Sequence, residues 1–391
     1  MGTQSVTGFS IRWLTEVDDL IRTSTDNIER NVLFAKKSFI LARHSRLDEA
    51  KQLILDLRAV NSAYEARLSS WIMFSEGIIE FSQTGDVKKS RDRVLRGHLI
   101  GQLIRENELT STSAAWLGYF DFVLGKYQDS ANHLEKAFIY STERHSEARA
   151  RASIVLADGF SLAGDLITGR VWYQRARSYA VASGDIAFQN IALFNASSYH
   201  IGLLTVADCT SVLDTKELRF ASMSSASAEN FNAALGIESQ PSLIPLQRAE
   251  IAVLERRWDA AIEIFTEHLG RVNSQGHGRL APKLRAQLAW CKANTGDIDG
   301  ALADIEVTLN GLEECKDPDD LAILHFRAAG VVRLAGKIKE AREHELLAEE
   351  QLVAYSVEQN LIKTLFDNVV SKVTHERKNP AYAGFGSAAK P

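Results

Sequence analysis

Proline is nearly missing from this sequence. The six residues are Pro241, Pro245, Pro282, Pro318, Pro380 and Pro391, so the first 240 positions carry none. Proline breaks helix interiors because it lacks a donor and clashes with the preceding turn, so its absence permits a long succession of helices. Cysteine is equally scarce. Cys209, Cys291 and Cys315 are odd in number and form no CxxC pair, which argues against a disulfide framework or a zinc site. Positive charge is not in surplus either. A net charge of −5 leaves no global basic field to draw the chain to nucleic acid or anionic lipid, so neither is expected as a direct partner. No apolar run is long enough to span a bilayer, and no convincing alternating strand pattern occurs. The opening "MGTQSVTGFSIRWLTEVDDL" lacks the basic and apolar regions of a signal peptide, and Val6 stands where myristoylation wants Ser or Thr. The expectation is an all-α, cytoplasmic protein, with 45% hydrophobic residues to build a core.

What is present is a repeat. "WLGYFDFVLGKYQDSANHLEKAF", Trp116 to Phe138, reads as two amphipathic helices joined at Gly125-Lys126-Tyr127. Gly85 stands forty residues before Gly125 and Gly164 thirty-nine after it; Ser45 lies forty before Gly85. Arg256, Gly296 and Gly336 follow one another at forty-residue steps. Five residues after each turn slot comes a small residue: Ala50, Ser90, Ser130, Gly169, Ala261, Ala301 and Ala341. Four further on comes a mostly apolar knob: Ile54, Val94, Leu134, Tyr173, Phe265 and Ile305, with Glu345 in the last unit. A fixed period of this size means a solenoid. Glycine at the slot releases the first helix through a left-handed backbone, and the small residue lets the second helix cross closely.

The register breaks once. Gly164 to Arg256 is 92 residues, where two repeats would need 80. The surplus of twelve falls in an irregular repeat at about 205–245, whose second helix is expected within Thr215–Leu235. The Ser and Ala between Ala221 and Ala228 fit either tight helix packing or a loosely held segment. Residues 1–30 are expected to form a capping segment with a helix from Ile11 to about Arg22, residues 31–375 the repeat array, and the Gly-rich 376–391 a disordered tail.

Leu117-Gly118, Gly125-Lys126-Tyr127, Leu134 and Ala137 carry a family likeness, as do Leu156-Ala157, Gly164, Tyr173 and Ala176, and Leu288-Ala289, Gly296, Ala301 and Ile305. These units resemble tetratricopeptide repeats over roughly residues 31 to 375. They depart from the family in a period of 40 rather than 34, in Ala114 at the tryptophan slot and in the missing repeat-ending proline. Six extra residues lengthen the helices by about two turns per repeat. Long, proline-poor repeats of this kind resemble those of bacterial regulators and peptide sensors. The resemblance implies a right-handed α-solenoid superhelix of about eight helical hairpins, with first helices lining a concave groove.

Counted back from the turn slot, positions 13, 10, 6, 3 and 2 form the first-helix face that the resemblance turns toward that groove. The face carries Arg43, Gln83, Tyr119, Phe122, Arg151, Asp158, Glu250, Lys283, Trp290, Asn294 and Arg333. Aromatics interleaved with arginine are what interface hot spots are made of. On this reading Tyr119, Phe122, Arg151, Trp290 and Arg333 are partly exposed and converge on one concave surface, although Phe122 and Trp290 also suit packing between helices. Elsewhere chemistry finds little footing. Gly276-His277-Gly278 lacks the longer glycine pattern of a phosphate loop, Glu313 to Asp320 lacks calcium-loop spacing, and no His stands at ligand spacing from another His or Cys. The basic run Lys88 to Arg105 reads as a solvated outer face or a dock for an acidic partner. No catalytic residue, cofactor or metal is expected. The function expected is that of a scaffold or adaptor binding a peptide or protein segment, an effector encoded nearby being one such partner. The alternative is a ligand-responsive sensor whose superhelix changes curvature.

Overall fold

The structure, a computed structural model, describes residues 12–61, 65–211, 213–235, 242–273 and 277–376. Within them the chain is an α-solenoid of 17 α-helices without a strand. Helix α1 (Arg12–Thr23) precedes eight hairpins. These are α2 (Asn27–Arg43) with α3 (Leu47–Val60), α4 (Ala66–Thr84) with α5 (Val87–Leu103), α6 (Asn107–Val123) with α7 (Tyr127–Tyr140), and α8 (Ser146–Leu162) with α9 (Leu166–Ser183). Then come α10 (Ile186–Thr210) with α11 (Thr215–Leu235), α12 (Leu243–Leu254) with α13 (Trp258–His268), α14 (Ala281–Asn294) with α15 (Ile298–Asn310), and α16 (Pro318–Leu334) with α17 (Ile338–Glu376).

Every turn slot read from the sequence is left-handed. φ is 69° at Gly85 and Gly125, 81° at Gly164, 94° at Gly296 and 79° at Gly336, and it stays positive at Ser45 (61°) and Arg256 (60°). A Cβ built on Gly125 meets nothing within 4 Å, so backbone conformation and not space selects glycine there. Gly125→Ala is therefore expected to cost ~1 kcal/mol, and Ser45→Gly to gain a similar amount by relieving the same strain. Urea midpoints measure both; equal stability of Ser45→Gly and the parent would show that slot to be unstrained.

The small slot five residues on is buried in all seven units. In the α4–α5 and α6–α7 hairpins its partner in the first helix is glycine, Gly77 and Gly118. Ser130 Oγ donates to the Gly118 carbonyl at 2.8 Å, and a Cβ on Gly118 would sit 2.8 Å from Leu134 Cδ2. In α5, a Cβ on Gly97 would come 2.7 Å from the Ser70 carbonyl oxygen, a backbone atom that cannot swing away. The irregular repeat absorbs its extra residues by lengthening: α10 has 25 residues and α11 has 21, against 17 in α6 and 14 in α7. Ala221, Ser225 and Ala228 lie buried along one face of α11, the packed alternative of the two read from the sequence. Residues 212 and 236–241 of that repeat, Gly276, the first eleven residues and the tail from 377 onward lie outside the described residues.

The chain divides into two compact units, the first taking 1–160, 167–192 and 362–391, the second 161–166 and 193–361. In the first unit Phe39, Phe74, Trp116 and Phe120 form an aromatic spine, with Phe39 and Phe74 centroids 5.0 Å apart. α1 docks on it through Trp13, edge-on to Phe39 at 5.6 Å, and Arg12 donates to the Val181 and Ala182 carbonyls at the end of α9. The last turns of α17 also belong here, with Phe366 against Gly159 of α8. The second unit packs Leu246, Val253 and Phe265 between α12 and α13, and Ala289, Ile305 and Leu324 among α14 to α16.

Candidate functional site

Beside α1 the first unit holds an open cavity of about 410 Å³. Its walls come from Trp13 and Leu20 of α1, Leu33, Phe39 and Ile40 of α2, and Trp71 of α4. Its polar lining comes from Glu29 and Lys36 of α2, Glu108 and Thr112 of α6, and Arg144 to Glu147 where α8 begins. Lys36 lays its ammonium 4.9 Å from the Trp71 ring centroid and pairs with Glu108 at 2.7 Å. The cation thus sits on an aromatic face, where attraction to the ring quadrupole adds to the ion pair.

Beneath that wall four charges balance. Asp185 caps α10 by accepting from the Phe188 amide at 2.9 Å and also pairs with Arg43. Arg43 Nη1 lies 3.8 Å from Glu147 Oε1, which accepts from Trp116 Nε1 at 3.2 Å. Arg151 stacks on Trp116, its guanidinium carbon 3.9 Å from the ring centroid, with Phe188 at 4.9 Å. Burial pushes the Glu147 carboxyl above its usual range against the pull of Arg43 and Arg151. Burial, with Arg43 nearby, holds Arg151 down to about 10. Glu147 Oε2 and Arg151 Nε are buried without a hydrogen-bond partner. Burial also lowers His145 on the cavity wall, favouring its neutral ring. The site can take an apolar side chain against its tryptophans, with Glu29, Lys36 and Glu108 as polar groups in its lining.

The residues read from the sequence fall into three groups. Arg43, Tyr119 and Arg151 gather around Trp116, with Tyr119 half-buried 6.0 Å from it. Arg151 is 4% exposed, not partly open, because Trp116 and Phe188 sandwich it. Phe122 is likewise buried, between Tyr127 and Phe366, which makes it a packing residue. Asp158 is buried and accepts from the Tyr173 hydroxyl at 2.6 Å, whereas Gln83 is exposed. In the second unit Lys283 lies buried between Glu250 and Asp320. Trp290 is half-buried against Gly330 and Trp258, Asn294 is exposed and donates to the Trp290 carbonyl, and Arg333 is exposed and paired with Glu345.

Trp13, Lys36, Trp71, Glu108 and Glu147 were missed. Trp71, Glu108 and Glu147 stand 14 to 17 residues before their turn slots, in the extra first-helix turn that a 34-residue motif does not describe. The repetition of Glu at the seventeenth position in two successive units was the available signal. No group of three or more His, Cys, Asp or Glu side chains among the described residues is placed to hold a metal, and no helix among them is long and apolar enough to cross a membrane.

No family model and no curated protein matches the sequence. The fold is similar to that of solved Rap proteins. A Rap protein complexed with competence and sporulation factor aligns with a TM-score of 0.55 and 12% identity, over 89% of this chain and 100% of that one. The apo form of RapI aligns with a TM-score of 0.44 and 13% identity, over 86% of this chain and 90% of that one. At such identity the likeness is one of fold.

Proposed function

We propose that this chain is a non-enzymatic scaffold or regulator that binds a peptide or extended protein segment on its first-helix face, with the cavity beside α1 as the anchoring subsite. The observation that carries the reading is that open cavity of about 410 Å³, walled by Trp13, Phe39 and Trp71, with Glu29, Lys36 and Glu108 on its polar side. Its volume falls in the range of ligand pockets, and it suits one or two side chains of a longer ligand. Gln83 and Tyr119 in the first unit keep exposed surface and are proposed as further contacts of that ligand; Asn294 and Arg333, exposed in the second unit, are proposed as contacts of that unit taken by itself.

A catalytic role has less to support it. Burial raises all three thiols, Cys291 and Cys315 to about 12, which leaves no ready thiolate. The ligand-responsive form of the proposal draws on the Rap protein of similar fold that was captured with competence and sporulation factor.

The test begins with a peptide selected from a displayed random library and its affinity by fluorescence anisotropy. Leu20 lines the cavity yet is 53% exposed, so Leu20→Asp should leave folding nearly unchanged. It should weaken binding at least about tenfold by placing a charge on an apolar wall. Leu103→Asp, on the 83% exposed tip of α5, is the control and should bind as the parent does. Parental affinity in Leu20→Asp would remove the cavity from the site.

A further inference from the structure

The basic run at Lys88 to Arg105 folds mostly as α5 and contributes nothing to the cavity lining. Its cations differ in what they meet. Arg91 pairs with Asp121 at 2.5 Å, and Lys89 pairs with Glu80 of α4 at 2.6 Å. Arg96 is exposed and holds no ion pair among the described residues. Leu99 and Leu103 follow it, 56% and 83% exposed. With 3.6 residues per turn, Lys89, Arg96, Leu99 and Leu103 fall within about 80° of one another around the helix axis. They make a basic stripe that carries two bare leucines.

α17 has the acidic counterpart. Glu343 and Glu350 are exposed and hold no ion pair among the described residues. Val353 and Val357, on the same face, are 67% and 65% exposed. The two stripes share one spacing: each places its members at i, i+7, i+10 and i+14, counted from Lys89 and from Glu343. That is the heptad spacing of a two-helix seam. Laid parallel, the stripes set Arg96 against Glu350, Leu99 against Val353 and Leu103 against Val357, with Lys89 facing Glu343. We propose that this chain self-associates through α5 of one copy packed on α17 of a second. In the same register, α5 on α5 would oppose Arg96 to Arg96, and α17 on α17 would oppose Glu350 to Glu350, so charge selects the mixed pair. The contact is heterologous, and it extends into chains of copies unless it closes on itself. It uses no cavity residue and is independent of peptide binding.

Sedimentation velocity of the full chain tests this. The seam is only about 21 Å long, so association is expected to be weak, in the range of about 10–100 µM. The average mass should rise with concentration at low salt and fall back at about 0.5 M NaCl, where surface charges are screened. Arg96→Glu and Glu350→Arg should each weaken association at least about tenfold, with melting temperatures unchanged because both positions are exposed. Leu103→Asp should do the same while keeping peptide affinity. An equimolar mixture of Arg96→Glu and Glu350→Arg should associate again, because each α5 then finds an α17 of opposite charge. A parent that stays monomeric at about 200 µM would overturn the proposal and leave the two faces to other partners. Parental association by Arg96→Glu, or no recovery in the mixture, would overturn it too.

Discussion

Phe366→Ala is expected to lower the stability of the first unit by about 3–5 kcal/mol, among the largest effects a single truncation gives. The ring is fully buried, 6.1 Å from the centroids of both Phe122 and Phe160. A Cβ on Gly159 would overlap it, so this glycine is what admits the ring to the surface of α8. Truncation leaves a cavity against Gly159 that the rigid helices around it can only partly close. Gly159→Leu should remove the same docking from the other side. Leu361→Ala, five residues earlier and 49% exposed, should change little. Urea denaturation reads all three, and a loss under about 1 kcal/mol for Phe366→Ala would mean that the end of α17 is not held by this ring.

Lys283→Met is expected to cost a similar ~3–5 kcal/mol at pH 8, by a different route. Lys283 Nζ lies 3.0 Å from Asp320 Oδ1 and 3.5 Å from Glu250 Oε1, all three side chains being nearly buried. Removing the cation strands two carboxylates in a low dielectric. Burial already raises Glu250 against the pull of Lys283, and desolvation with the neighbouring Asp320 pushes Asp319 up to about 8. Without Lys283 both rise further. The folded variant then binds protons that the unfolded chain takes up only near pH 4, so the variant gains stability as pH falls. The gap between parent and variant should narrow from pH 8 to pH 5.5. A gap independent of pH would show that packing of the lysine stem, and not its charge, is what the residue contributes.

The hairpin grammar was legible because it is local. A left-handed turn, a small residue where helices cross and an apolar knob leave marks at fixed spacing, and Ser45 and Arg256 obeyed the register although neither is glycine. Even the irregular repeat announced its second helix at Thr215–Leu235. The site was less legible because it depends on distant segments. Phe122 reads as an exposed aromatic until Phe366, from the far end of the chain, covers it. Arg151 reads as a groove arginine until Phe188 of the next first helix closes over its stack on Trp116. The cavity needs α1 docked by Trp13 on Phe39, and no repeat pattern encodes that contact.

Hydrogen–deuterium exchange of the full chain with and without a library-selected peptide tests most directly whether the first-helix face beside α1 is a binding surface. Slowed exchange is predicted in α1 from Trp13 to Leu20, at Lys36 to Ile40 of α2 and at the start of α8 around Ser146 to Ala148, the segments that line the cavity. Helices α3 and α5, which contribute no residue to the cavity lining, should be unaffected. Protection confined to those two helices, with none at the cavity walls, would contradict the account.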